Sequence, residues 1–289
     1  MESLLSLSFD YLSSNDGVEI RKGLRQLEGL LAPICLSRYN TSSAAQDRQS
    51  SVVGSGASNQ ASSNQSTKEL SSLKGDPAFR ELFKLQEGFE WNVATRLILT
   101  LERLLSHPST GHYDLLLVST LDTLHGMLLL HPPSRSLFAR EVYMNLLLDL
   151  LEPTNCPAIQ SSALLTLVTA LLGEPRNVRC FEAVDGILAV TSLLKGRETG
   201  REVKMRTVEF LYFYLMPETP QGAKGNGLNS GLQRSPSKRL NGKGTPVHPK
   251  EVETKTTEEK QGLLGRHLSN VEDLVEDLRE SNVFGANLV

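Results

Sequence analysis

Apolar residues recur at three- and four-residue intervals along most of this chain, in runs cut apart by proline and glycine. Ile20, Leu24, Leu27, Leu31 and Ile34 keep a 4-3-4-3 spacing, the stripe of one helical face. Asn15-Asp16-Gly17 supplies a cap, and Pro33 disfavours helical geometry at Ala32, so the spacing predicts a helix over Val18 to Ala32. From Asp76 to Met216 the pattern is helical almost without pause. Asp76-Pro77 reads as a cap followed by Pro at the first helical position, and Phe79, Leu82 and Phe83 begin a short helix. A longer one carries Ala94, Leu97, Leu101, Leu104 and Leu105 and stops at His107-Pro108. Further helices are expected over Tyr113 to Leu130, Ser136 to Leu151, Ser161 to Leu172, Phe181 to Leu194 and Arg201 to Leu215. Prolines and glycines punctuate the junctions between them. No run alternates with period two, so strands are not expected.

The helical pattern also echoes itself. Pro132, Phe138 and Leu150-Leu151 are answered 43 residues later by Pro175, Phe181 and Leu193-Leu194. The same offset carries Ala163, Leu167 and Leu171 onto Arg206, Phe210 and Tyr214, and an offset of 46 carries Val118, Leu121 and Leu124 onto Leu164, Leu167 and Ala170. A period of this length marks stacked helices that cannot bury their apolar faces alone. Asn177-x-x-x-Phe181-Glu182-x-x-x-Gly186-Ile187 resembles the second-to-third helix junction of armadillo repeats, where Gly permits a sharp bend. The expected fold is all-α, an armadillo/HEAT-like helical repeat array with a disordered insertion and tail. Such arrays present extended binding surfaces and seldom carry catalysis.

Five segments follow from this pattern: an N-terminal helical cap over 1–36, a Ser-rich insertion over 37–75, repeats over 76–217, a basic linker over 218–259 and an amphipathic helix over 260–281. The insertion is too poor in apolar residues to offset the entropy of ordering and is expected to be disordered. The linker, rich in Gly, Pro and Lys, is expected to be solvated. In the last segment Leu264, Leu268, Val271, Leu274, Val275 and Leu278 form one stripe, and Glu272, Asp273, Glu276 and Asp277 form the other face. Three readings of it stand: folding back on the array, pairing with a partner helix, or a solvated helix. Leu268, Val271, Leu274, Val275 and Leu278 are therefore the candidate partner-binding residues. Ser235, in Ser-Pro-Ser-Lys, Thr245 before Pro246, and Ser269 after Arg266 are candidate phosphorylation sites.

Charge and chemistry narrow the function. A net charge of −3 supplies no global field for nucleic acid or an anionic membrane. The basic run Arg234 to Lys243 lacks aromatic residues and reads as linker. Cys35, Cys156 and Cys180 are widely spaced, which suits buried thiols in a reducing compartment. Met1 to Leu12 has no basic leader pattern, and Leu115 to Leu130, broken by Asp122 and His125, is too short to span a bilayer. A cysteine-phosphatase loop needs Arg six residues after the nucleophile; Thr41, Ser162 and Gly186 stand there instead. His107 with His112, and His125 with His131, lack the cysteine pair that would complete a zinc set. Gly54-Ser55-Gly56 and Gly242-Lys243-Gly244-Thr245 lack the strand and helix of a phosphate loop. No catalytic residue, metal ligand or cofactor site is expected.

Lys260 to Arg279, Met1 to Leu12 and the Arg179 to Tyr214 repeat together resemble the cell division control protein 14 family of the fungal septation initiation network. That family is unrelated to the dual-specificity phosphatase sharing its name, in agreement with the missing loop. The resemblance implies a non-catalytic adaptor for a germinal-centre-type Ser/Thr protein kinase, acting in septum formation and cytokinesis. It implies a cytoplasmic protein associated with the spindle pole body. The rival readings are a solenoid scaffold for another protein or a nucleic acid, and a hydrolase with an unrecognised site.

Overall fold

Asp16 sets the first boundary of the fold, because its carboxylate accepts the Val18 amide and so separates α1, Glu2–Leu12, from α2, Gly17–Cys35. The two helices lie closely along each other at Gly23, where a Cβ would stand 3.0 Å from the Leu12 side chain and the Ser8 carbonyl. The computed structural model describes residues 1–37, 66–68, 70–107, 111–218, 254–273 and 276. Here α2 runs past the expected stop and ends at Cys35, with Pro33 in its last turn. Ile34 is buried against Leu73, Phe79 and Leu82, and that burial outweighs the single amide hydrogen bond Pro33 cannot make.

Two further expectations are corrected nearby. Leu36–Ser37 (β1) pairs antiparallel with Ser66–Thr67 (β2), a two-residue ladder too short for any side-chain period to announce. The ordered base of the insertion then continues through Lys68, whose amide donates to the Cys35 carbonyl at 2.9 Å, and through α3, Leu70–Leu73. The segment expected to be disordered over 37–75 is therefore structured at 37, 66–68 and 70–75, and its remainder lies outside the described residues.

Next come α4, Pro77–Glu87, capped by Asp76, and α5, Val93–Ser106, capped by Asn92. Then follow α6, Asp114–Leu130, a 3-10 helix, Pro132–Ala139, and α7, Glu141–Asp149. After them lie α8, Pro157–Leu171, α9, Pro175–Ala183, α10, Gly186–Lys195, and α11, Arg201–Leu215. Two helices expected to be continuous are each split. Arg140 is extended between the 3-10 helix and α7, and Asp185, left-handed at φ 57°, separates α9 from α10. Pro132 starts the 3-10 helix and Pro175 starts α9, and Phe138 and Phe181 inside them are fully buried.

The helices pack in succession: α1 and α2 against α5 and α6, α5 on α6, α6 on α8, and α8 on α11. The 3-10 helix, α7, α9 and α10 flank that row, and one apolar core runs from Leu5 to Val271. No single helix among the described residues is long and apolar enough to cross a membrane; α6 with the 3-10 helix passes by composition but is bent by 117°.

Gly186 fixes the bend after α9. A Cβ there would stand 2.2 Å from the Phe181 ring and 2.6 Å from its carbonyl oxygen, whereas one on Gly29 would meet nothing. Gly186→Ala is expected to destabilise by about 1–3 kcal/mol through overpacking, while Gly29→Ala is neutral or stabilises by up to about 1 kcal/mol. Equal midpoints for the two variants in urea unfolding would remove that role from Gly186. Leu193 is 2% exposed within the apolar core, so Leu193→Asp, which buries a carboxylate there, is expected to cost more than about 3 kcal/mol. A wild-type melting curve for it would place the side chain at the surface.

Candidate partner-binding surface

The C-terminal segment folds onto α11. Thr256 and Glu259 form a reciprocal capping box, Glu259 Oε2 accepting the Thr256 amide at 2.7 Å, and start α12, Thr257–Leu264. The helix ends at Gly265, not at 281, and the chain turns through 265–267 before becoming helical again at Val271. The 260–281 helix is thus corrected: among the described residues it begins at Thr257, within the stretch expected to be linker over 218–259, has Leu264 as its last helical residue and is followed by helical residues from Val271. Glycine at 262 and 265 weakens the helix where it breaks. Leu264, Leu268 and Val271 are all buried in the main core. Leu274, Val275 and Leu278 lie outside the described residues.

A charged network ties this segment down. The Tyr214 hydroxyl donates to Glu182 Oε1 at 2.7 Å, and Lys255 Nζ donates to the other oxygen at 2.6 Å. Arg179 Nη2 bridges Glu182 at 3.2 Å and Glu218 at 2.5 Å. Lys260 Nζ lies 3.1 Å from Glu218, donates to the Met216 carbonyl at 2.8 Å and sits 5.2 Å from the Tyr214 ring centre. Lys260 is only 3% exposed, an unusual place for an ammonium without such partners. Burial pushes its pKa below the usual lysine value, opposed by Glu218. Burial, reinforced by the hydrogen bond to Glu182, drives the Tyr214 hydroxyl well above the ordinary phenol range.

A cavity of about 400 Å³ lies beside this network, between Arg135, Val178, Phe213 and Lys260. Arg135 is buried and committed to backbone, donating to the Leu128 carbonyl at 3.0 Å and the Leu172 carbonyl at 2.9 Å.

The other residues singled out by sequence are dispersed. Ser269 is exposed beside Leu268, and Ser235 and Thr245 lie outside the described residues. His107 and His112 both pack on the Tyr113 ring. His125 Nδ1 meets Thr169 Oγ1 at 2.8 Å, and His131 Nδ1 meets Ser134 Oγ at 2.8 Å. Burial lowers the His131 pKa. All three thiols are free; Cys180 is buried, and burial raises its pKa and that of Cys35. Among the described residues no three His, Cys, Asp or Glu groups gather where they could hold a metal ion. Sequence reasoning missed the network, because its members are far apart in the chain. Its one advance signal was Tyr214 on a buried helical face, where a phenol needs a partner.

The family described as "Cell division control protein 14, SIN component" matches residues 1–284. A relative in Schizosaccharomyces pombe, "Cell division control protein 14", is 26% identical over 298 residues, covering 99% of this chain and 97% of its own. No solved structure matches.

The Tyr214 hydroxyl gives a pH test. Its folded-state pKa is raised, so its contribution is fully present below about pH 10, the unfolded phenol value, and is lost as pH rises beyond it. Tyr214→Phe is expected to cost about 1 kcal/mol at neutral pH, a penalty that shrinks above about pH 10. Denaturant unfolding of both proteins across that range measures it, and a penalty independent of pH would discard the assignment.

Proposed function

Because the chain belongs to the family described as Cell division control protein 14, SIN component, we propose that it serves septation initiation as a non-catalytic adaptor for a germinal-centre-type Ser/Thr protein kinase. The observation that carries this reading is the family match over nearly the whole chain. The architecture supports it. In this reading α6, the 3-10 helix and α7 form one unit of an armadillo-like array, and α8, α9 and α10 form the next, with Pro132 and Pro175 at equivalent positions. Such an array supplies buried surface to a partner. It acts by stabilising one kinase conformation or location, a population shift rather than a chemical step. The site of action is the cytoplasm, with association at the spindle pole body. The outcome is septum formation and cytokinesis.

Leu274, Val275 and Leu278 continue the apolar series past the buried Leu268 and Val271, and in this proposal they meet the kinase. Affinity purification at native abundance, followed by mass spectrometry, is expected to recover a kinase of this class; its absence would defeat the adaptor reading. Leu274→Asp with Leu278→Asp is expected to lower kinase recovery at least about tenfold while the melting temperature holds. Leu268→Asp with Val271→Asp is expected to lower the melting temperature itself, since both side chains are buried. Full kinase recovery by the first pair would remove the contact from this segment.

A further inference from the structure

On the flank formed by α4, the end of α6 and the start of the 3-10 helix lies an open groove of about 730 Å³. Phe79, Phe83, Leu129 and Leu130 make its floor, and the exposed Pro132 and Pro133 make one wall. The floor is fixed in place: the Phe83 ring meets the buried His131 ring edge-on at 4.5 Å and lies 5.9 Å from Phe79. Lys74, Arg80 and Lys84 stand exposed on the rim, and none of them makes an ion pair with another described residue. Among the described residues Glu87 is the one acid lining the groove. This is a local cationic edge on a chain whose net charge is −3.

We propose that this groove docks an amphipathic helix of a partner protein, one that lays bulky apolar side chains on the floor and carries Asp or Glu on its flanks. The floor supplies the apolar contact surface that a helix with anchors three and four residues apart would cover. The rim selects the flanks, because it attracts carboxylates and repels Lys or Arg. A strand is not the occupant. Pro132 and Pro133 have no N–H, and α4 spends its interior amides on its own helix, so these described elements offer the groove no free ladder edge. The groove is built from elements other than the C-terminal network, and the proposal does not rest on the kinase reading.

The test uses the full chain and a fluorescein-labelled synthetic helix of ~15 residues, long enough for helicity. Leucines are placed at helical spacing and flanked by Glu, and a matched peptide carries Lys in place of Glu. Anisotropy titration at low salt is expected to show the Glu peptide binding at least about tenfold tighter, with the preference declining as salt screens it. The exposed pair Arg80→Glu with Lys84→Glu is expected to invert the preference at an unchanged melting temperature. Phe83→Ala is expected to weaken both peptides. Equal binding of the two peptides, or a Glu preference that survives charge reversal, overturns the proposal. Tighter binding after deletion of residues 38–65 or 274–289 would assign the groove to the chain's own segments and overturn the partner assignment.

Discussion

Two central helices, α6 and α8, are apolar on nearly every side, and the rest of the fold is arranged to cover them. In α6, Leu116, Leu117, Leu121, Leu124, Met127 and Leu128 are all buried; in α8, Ile159, Ala163, Leu164, Leu167, Ala170 and Leu171 are. A helix with one apolar stripe can rest on a surface, but one that is apolar all round needs neighbours on both sides. So α6 lies between α5 and α8, and α8 lies between α6 and α11. A row built this way must still close its ends. At one end α1 and α2 do this; at the other α12 packs on α11, with Leu264, Leu268 and Val271 buried.

Burial on that scale leaves polar side chains to answer to the backbone. Thr100, Thr120, Thr166, Thr169, Thr191 and Thr207 each donate a hydroxyl to the carbonyl four residues earlier, which satisfies it inside its own helix. The amides work where the chain reverses. Asn177 Nδ2 donates to the carbonyls of Arg135 and Ala170, joining α9 to the 3-10 helix and the end of α8. Asn92 Nδ2 donates to the Gln86 carbonyl and to Ser134, joining α4, α5 and the 3-10 helix. Buried polar groups of this kind fix which helix ends meet, because leaving any of them unpaired costs about 1–3 kcal/mol.

Most of this was legible in the sequence, since helix periodicity and its punctuation are local. Asp16 and Asp76 mark helix starts, and α11 matches its expected bounds at both ends, whereas α8 begins at Pro157, four residues before its expected start at Ser161. What escaped depends on contacts distant in sequence. Pro33 stays helical because residues from α3 and α4 cover Ile34. The breaks at Arg140 and Asp185 fall inside unbroken apolar runs, where spacing alone registers no change of direction. The C-terminal stripe misled for a related reason. The Leu268 amide still bonds the Leu264 carbonyl at 2.9 Å across the turn, so the four-residue spacing survives although the helix does not. The network of Arg179, Glu182, Tyr214, Glu218, Lys255 and Lys260 joins residues up to 73 positions apart and left no local pattern.

The two apolar flanks of the molecule differ in how charge is handled beside them. At α11 the covering segment brings its own cations, Lys255 and Lys260, to Glu182 and Glu218. Lys260 completes its shell on the Met216 carbonyl and the Tyr214 ring. Removing water from an ion pair is costly; the remaining Lys260 donors offset that cost on the Met216 carbonyl and the Tyr214 face, whereas the buried Nε and Nη1 of Arg179 have no hydrogen-bond partner among the described residues. This favours one docking register, since sliding the segment by one turn would strand a buried ammonium. At the α4 flank the geometry is reversed. The apolar floor is open, and Lys74, Arg80 and Lys84, exposed on its rim, make no ion pair with another described residue. Water completes these exposed cations while the flank is open; under the docking proposed for it, a cover bearing its own acids would satisfy both floor and rim.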